Sequence, residues 1–172
     1  HVYGNACDVE ELERIAKKND IKLIYDAAHA FGVKYKGESL LKWGDAASLS
    51  FHATKLYHTI EGGALILNDA TAEEEAKAMI NFGFKEGVIE GIGINAKMNE
   101  FSAAMGLAIL DDIDVIIEQR EIIYNNYLEN LGSVMKFLNI SKNLEFKYSY
   151  CPVEIESEEK LLEIIKLLEV NN

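Results

Sequence analysis

Two stretches, Ile21-Lys22-Leu23-Ile24-Tyr25-Asp26 and Ala46-Ala47-Ser48-Leu49-Ser50-Phe51-His52-Ala53-Thr54-Lys55, decide how this chain folds. The first is a short apolar, β-branched run that closes on a carboxylate and passes at once into Ala27-Ala28, so it reads as a buried strand ending at Asp26. The second is an apolar run that gives way to a loop carrying one amine, Lys55. An acid and an amine at two strand ends point to an open α/β sheet, which gathers its chemistry at that edge. An ion pair between the two would produce the same pattern, and the residues alone leave both readings open.

Working outward, Asp8-Val9-Glu10-Glu11 has the form of a capping box, with Leu12, Ile15 and Ala16 on the apolar face of the helix it opens. Asn19-Asp20 breaks that helix before the first strand. A short strand over 32–35 with a turn at Lys36-Gly37 follows, and Trp43-Gly44-Asp45 loops into the second main strand. Gly62-Gly63 allows a close turn before a further strand, Ala64-Leu65-Ile66-Leu67. Thr71-Ala72-Glu73-Glu74 caps the next helix, which runs to about Phe82. Residues 83–93 hold four glycines and almost no periodicity, which predicts a mobile loop. Asn99 starts a helix whose Ala103, Ala104 and Gly106 suit close packing of another helix. Residues 111–131 continue as a long helix with Ile113, Ile116, Ile117, Ile123 and Leu128 on one face. Strands are expected within 134–138 and 144–155, then a helix from Ser157 whose Glu158 and Glu159 favour the positive end of its dipole.

The 172 residues are 49% hydrophobic and 27% charged, enough for one ordinary core. A net charge of −12 argues against nucleic acid and against an anionic membrane surface, both of which call for a basic footprint. The apolar runs are far shorter than the roughly 20 residues of a spanning helix, and no basic-then-apolar leader opens the chain, so a cytoplasmic protein is expected. Cys7 and Cys151 lack any ligand or redox spacing and read as packing thiols. His29, His52 and His58 show no HxH or HxxxH pattern, and no metal site is expected.

Asp26-Ala27-Ala28-His29-Ala30, Gly44-Asp45-Ala46, Ser50 to Lys55, Glu61-Gly62-Gly63-Ala64 and Gly93-Ile94-Asn95-Ala96-Lys97-Met98-Asn99-Glu100, followed by Ala103-Ala104-Met105-Gly106, agree together in order and spacing. In them the chain resembles the DegT/DnrJ/EryC1/StrS family, the pyridoxal-phosphate (PLP) sugar aminotransferases of fold type I. The resemblance implies an α/β fold: the second half of a PLP-binding large domain over 1–112, with a mostly parallel sheet and flanking helices. A linking helix and part of a small α+β C-terminal domain would occupy 113–172. In the family the HxYG stretch, here His1-Val2-Tyr3-Gly4, lies mid-domain. The chain is therefore expected to be the latter part of a longer protein and inactive alone.

The same resemblance implies the site. Lys55 would hold PLP as a Schiff base and shuttle the substrate proton, work that needs an amine able to lose its own proton. Asp26 would face the pyridine nitrogen and keep it protonated. His29 would lie near the cofactor ring oxygen, and Ser50 would donate to the phosphate without adding charge. Asn95 matches the asparagine of the family's GxNxRM motif, which reaches the phosphate in the other subunit of a homodimer; Lys97 replaces the usual arginine. Plain structural roles remain open beside these: a solvated loop lysine, a strand-end cap, a strand serine bonded to backbone, a structural histidine, and an asparagine turning the chain. His52, His58 and Glu61 flank the lysine without an assigned role. The implied reaction is transamination of a nucleotide-linked keto sugar in amino-sugar biosynthesis, with glutamate as amino donor. Related PLP or PMP sugar dehydratases carry histidine where Lys55 stands. The alternative from another class is a regulatory or assembly protein that keeps the fold without turnover.

Overall fold

The computed structural model describes residues 1–171. Its centre is a three-stranded sheet in the order β1 (Ile24–Asp26), β4 (Ala46–Ser50), β5 (Gly63–Leu67). β1 and β4 run parallel, with Tyr25 beside Ala47 and Asp26 beside Ser48. β4 and β5 are antiparallel, from Ala46 opposite Leu67 to Ser50 opposite Gly63. The α/β class stands, and within this chain the sheet is mixed, with one pairing of each kind.

Alternation along the strands sorts the side chains. Tyr25, Ala47 and Leu49, with Ala64 and Ile66 of β5, join Val9, Ala27, Ala30, Val33 and Leu40 in the core. The opposite face carries Ile24, 69% exposed, and Leu65, 56% exposed. The expected buried strand over 21–25 is therefore covered on one face only, and it begins later. Leu23 is held outside the ladder by Asp45, whose carboxylate accepts from the Leu23 N–H at 2.8 Å and whose own N–H donates to the Leu23 carbonyl at 2.8 Å.

α1 (Val9–Asn19) opens as the sequence predicts: Asp8 Oδ1 accepts from the Glu11 N–H at 3.1 Å. The box is half closed, because the Glu11 side chain turns forward to Arg14 instead of back to Asp8. β2 (Lys34–Tyr35) and β3 (Glu38–Ser39) form a hairpin whose turn, Lys36-Gly37, has φ of +53° and +80°, the conformation a two-residue turn of right-handed twist demands. The third strand of this sheet comes from the far end of the chain: β9 (Leu144–Glu145) pairs antiparallel with β2.

α2 (Ala70–Ile80) is capped by Asp69, which accepts from the Ala72 N–H at 2.8 Å, two residues before the Thr71 signal. Part of the segment expected to be a loop without regular structure is a hairpin. β6 (Phe84–Lys85) and β7 (Val88–Ile89) form a hairpin around Glu86-Gly87, and the base is fastened where Asn81 bridges Asn95 and the Ile94 N–H donates to the Met79 carbonyl at 2.8 Å. Strands of two residues are too short for a period to show, which is why the sequence hid them.

α3 (Glu100–Asp111) is capped by Asn99 on the Ser102 N–H, and α4 (Ile113–Leu131) follows across Asp112. Gly106 does allow a close approach, but of a loop: a Cβ there would lie 2.6 Å from the Tyr57 hydroxyl and 2.9 Å from Thr59 Cγ2. On α4 a half-buried stripe runs through Ile113, Ile116 and Ile117 to the buried Tyr124, leaving Ile123 and Leu128 exposed. β8 (Lys136–Phe137) and β10 (Val153–Glu154) pair antiparallel ahead of α5 (Glu158–Asn171). Cys7 is exposed rather than packed, while Cys151 is half-buried. Among the described residues no helix is long and apolar enough to cross a membrane.

Candidate active site

The parallel pairing of β1 and β4 sets Asp26 level with Ser48, and Ser50 lies two residues further along the same face. Beyond the strand the chain turns sharply. The Ala27 N–H donates to the Ser48 carbonyl at 2.9 Å, and Asp26 Oδ1 accepts from the Ala28 N–H at 3.0 Å, an aspartate-fixed turn that delivers His29 to the sheet edge. The Asp26 side chain is exposed.

His29 is half-buried and neutral in its hydrogen bonding. Its Nδ1 accepts from the Tyr3 N–H at 2.9 Å, which assigns the ring proton to Nε2. Burial, first, and then the nearby Lys55 charge hold its pKa below the ordinary histidine value, against the opposing pull of Asp26. Its ring lies 4.5 Å from that of Tyr150 and 6.0 Å from that of Tyr3.

Lys55 sits in a loop built to hold it still. The Phe51 N–H donates to the Gly62 carbonyl and the Thr59 N–H to the Phe51 carbonyl, both at 2.9 Å, so the loop is closed at its neck. Leu56, Tyr57 and Thr59 are buried beneath it, and Tyr57 stacks on Phe31 with ring centres 4.3 Å apart. Ile60 is driven to φ +68°, which is costly for a β-branched residue. From this base the half-buried Lys55 reaches a narrow crevice lined also by His29, Ser50, Leu56, Ser149 and Tyr150. Its Nζ donates to the Tyr150 hydroxyl at 3.3 Å. The polar partners of Asp26 and Lys55 are thus a backbone amide and a phenol, so the ion pair left open by the sequence does not form among the described residues.

Of the predicted residues, His29, Ser50 and Lys55 line this crevice, and Asp26 is on the sheet face it shares with Ser50. Ser50 Oγ also accepts from the His52 N–H at 3.4 Å. Asn95 lies apart, exposed at the base of the β6–β7 hairpin. Lys97, beside it, donates to Asn81 Oδ1 at 2.8 Å and lies 4.5 Å from the Phe82 ring centre. Two of the unassigned flanking residues face each other, His52 Nε2 standing 3.7 Å from Glu61 Oε1, and His58 Nδ1 accepts from the Ile60 N–H at 3.4 Å in the strained turn. Ser149 and Tyr150 were missed by sequence reading. They lie 95 residues beyond Lys55 in Tyr150's case, in a stretch that reads only as strand, and no local signal marks them.

The sequence profile of the DegT/DnrJ/EryC1/StrS aminotransferase family matches residues 1–171. The chain belongs to this family. Within it, the chain is 39% identical over 162 residues to a dTDP-4-amino-4,6-dideoxy-D-glucose transaminase of Shigella dysenteriae, covering 92% of this chain and 44% of that protein. Among solved structures it is similar to DesI in the presence of its TDP-sugar product, at a TM-score of 0.87 and 32% identity, over 96% of this chain and 45% of that one. It is also similar to Spr1654 of Streptococcus pneumoniae in its PMP form, at a TM-score of 0.88 and 25% identity, over 98% of this chain and 50% of that one. The chain spans less than half the length of the curated relatives it matches.

Proposed function

We propose that this chain supplies the lysine-bearing half of a PLP-dependent aminotransferase that acts on a nucleotide-linked keto sugar, with an amino acid, glutamate, as amino donor. The observation that carries this reading is the setting of Lys55: a half-buried amine in a recess, with a neutral partner, beside a serine hydroxyl, a neutral imidazole and a carboxylate on the adjoining strand. These residues fit the cofactor in kind: an amine for its aldehyde, a carboxylate for its pyridine nitrogen, a hydroxyl for its phosphate and an imidazole N–H for a ring oxygen. When bound, PLP supplies an electron sink for the substrate carbon that loses its proton.

Each residue then has a task. Lys55 would hold the cofactor through Nζ, and the same amine would move a proton to and from the substrate carbon. Asp26 holds a proton on the pyridine nitrogen, and its Ala28 N–H bond fixes the carboxylate for that. Ser50 donates to the phosphate, and His29, with its proton on Nε2, donates toward the ring oxygen. Asn95, exposed and away from its own chain's recess, is proposed to reach the phosphate in the partner subunit of a homodimer. The large-domain role is assigned to 1–112 and the linking helix and small domain to 113–172. Activity is proposed for a protein of family length that contains this segment, in the cytoplasm.

Lysine at position 55 disfavours the sugar dehydratase reading, and the joint presence of Asp26, Ser50 and Lys55 disfavours a non-catalytic protein of the same fold. The test is borohydride reduction of the PLP-loaded protein followed by peptide mass spectrometry. The adduct is expected on Lys55. An adduct on Lys22 or Lys42, already engaged by Asp45 and Glu38, would overturn the reading.

A further inference from the structure

We propose that Tyr150 is a positioning residue for Lys55, its hydroxyl orienting the amine and its ring bracing His29. The proposal rests on the reading of Lys55 as the cofactor lysine.

The first ground is the company lysines keep in this chain, where acidic residues outnumber basic ones 29 to 17. Lys22, Lys36 and Lys136 each meet a carboxylate within 2.8 Å. Lys55 instead donates to a phenol, 3.3 Å from Nζ, with the ring centre 5.8 Å away. A carboxylate in that place would pair with the ammonium and hold it. A neutral hydroxyl aims it without neutralising it, which suits an amine that must leave its resting partner and return.

The second ground is that Tyr150 is itself fixed. Tyr148, at φ +53°, donates its hydroxyl hydrogen to Glu121 of α4 at 2.6 Å. Ser149 is 6% exposed; its carbonyl accepts from Arg120 Nη1 at 3.2 Å, and its Oγ donates to the His29 carbonyl at 3.2 Å. Tyr150 then lays its ring against His29. Three consecutive residues are anchored in turn to α4, to the Asp26–His29 turn and to the lysine. A flexible four-carbon stem gains a defined direction only from a partner held this firmly.

Tyr150→Phe removes the hydroxyl and keeps the ring on His29. In the protein of family length it should slow PLP capture by Lys55, trapped with borohydride and counted by peptide mass, at least fivefold. It should speed acetylation of Lys55 by acetic anhydride at least threefold, because the amine is released from its partner, while the other lysines react as before. Opposite signs separate positioning from general loosening, which would speed both. Unchanged acetylation overturns the proposal, and so does unchanged capture. If PLP captures no Lys55 even in the unsubstituted protein, the cofactor reading fails, and the acetylation rate still decides the contact. Should the variant fold poorly, a nuclear Overhauser contact between the Lys55 ε-methylene and the Tyr150 ring in the unsubstituted protein decides instead: its presence supports the proposal and its absence overturns it.

Discussion

Asp26 and Ser48 are register partners in the parallel β1–β4 pair, so the carboxylate and the hydroxyl of Ser50 leave the sheet on one face, on neighbouring strands. Residues 24 apart in sequence acquire a fixed separation from backbone hydrogen bonds alone. The groups proposed for the two ends of the cofactor, nitrogen and phosphate, are thereby set on a rigid rail, with Lys55 swung in from the loop above.

Asp26→Asn tests the first of these. The amide oxygen can still accept from the Ala28 N–H, so the turn and the thermal midpoint should hold. Transamination should fall roughly a thousandfold, about 4 kcal/mol of barrier, because an amide cannot keep the pyridine nitrogen protonated. Near-full turnover would reduce Asp26 to a structural role.

His29 should titrate below the ordinary histidine range, as burial and the Lys55 charge dictate. Lys55→Ala removes the second cause and leaves the first, so the imidazole midpoint read by NMR should rise part of the way. Because the folded-state value is depressed, His29 contributes stability above its unfolded value near 6.5 that is lost as the pH falls below it. A His29 midpoint unmoved by Lys55→Ala would mean the two are not electrostatically coupled.

Tyr25 is buried with its hydroxyl unpartnered, and burial pushes its pKa up to about 12. The unfolded chain ionises this tyrosine near pH 10 and the folded chain does not, so stability present below pH 10 drains away between about 10 and 12. Tyr25→Phe should remove that part of the alkaline loss. At neutral pH it should be neutral or slightly stabilising, since no hydrogen bond is given up. Melting curves of the two proteins from pH 8 to 11 decide it: parallel alkaline losses would contradict the assignment.

Gly106→Ala places a methyl 2.6 Å from the Tyr57 hydroxyl, and α3 or the lysine loop must shift to admit it. The expected cost is about 1 to 3 kcal/mol of stability, by denaturant titration, with slower PLP capture at Lys55. An unchanged midpoint would show that the loop yields freely.

Asn95→Ala should weaken PLP binding by about 1 to 3 kcal/mol, the cost of a lost hydrogen bond to a charged group. Mixed with Lys55→Ala subunits, it should regenerate, in hybrid dimers, one site of normal cofactor affinity. No recovery would mean that Asn95 serves its own subunit.

What the sequence disclosed and what it hid follow from distance. The Asp8 and Asn99 caps, the Lys36-Gly37 turn and the strand end at Asp26 are local events, written in residues a few positions apart, and they stand as read, while the second strand stops at Ser50, one residue before the apolar run ends. The hairpin at 84–89 was invisible because it is shorter than any period. Which face of β1 is covered was also illegible, since an apolar run fits one-sided and two-sided burial alike. Tyr150 could not be found at all: its partner lies 95 residues away, and nothing in Tyr148-Ser149-Tyr150 speaks of a lysine.

The pairing of β9 with β2 joins Lys34 to Glu145 and Tyr35 to Leu144, and the contact of Tyr150 with Lys55 lies just beyond it. Contacts of such sequence separation form late, because loop closure must come before any reward in packing. On the ribosome, the lysine loop emerges long before the phenol that orients its amine. The reactive group is thus made first and aimed last, and an interrupted chain that stops short of Ser149 carries Lys55 without its guide.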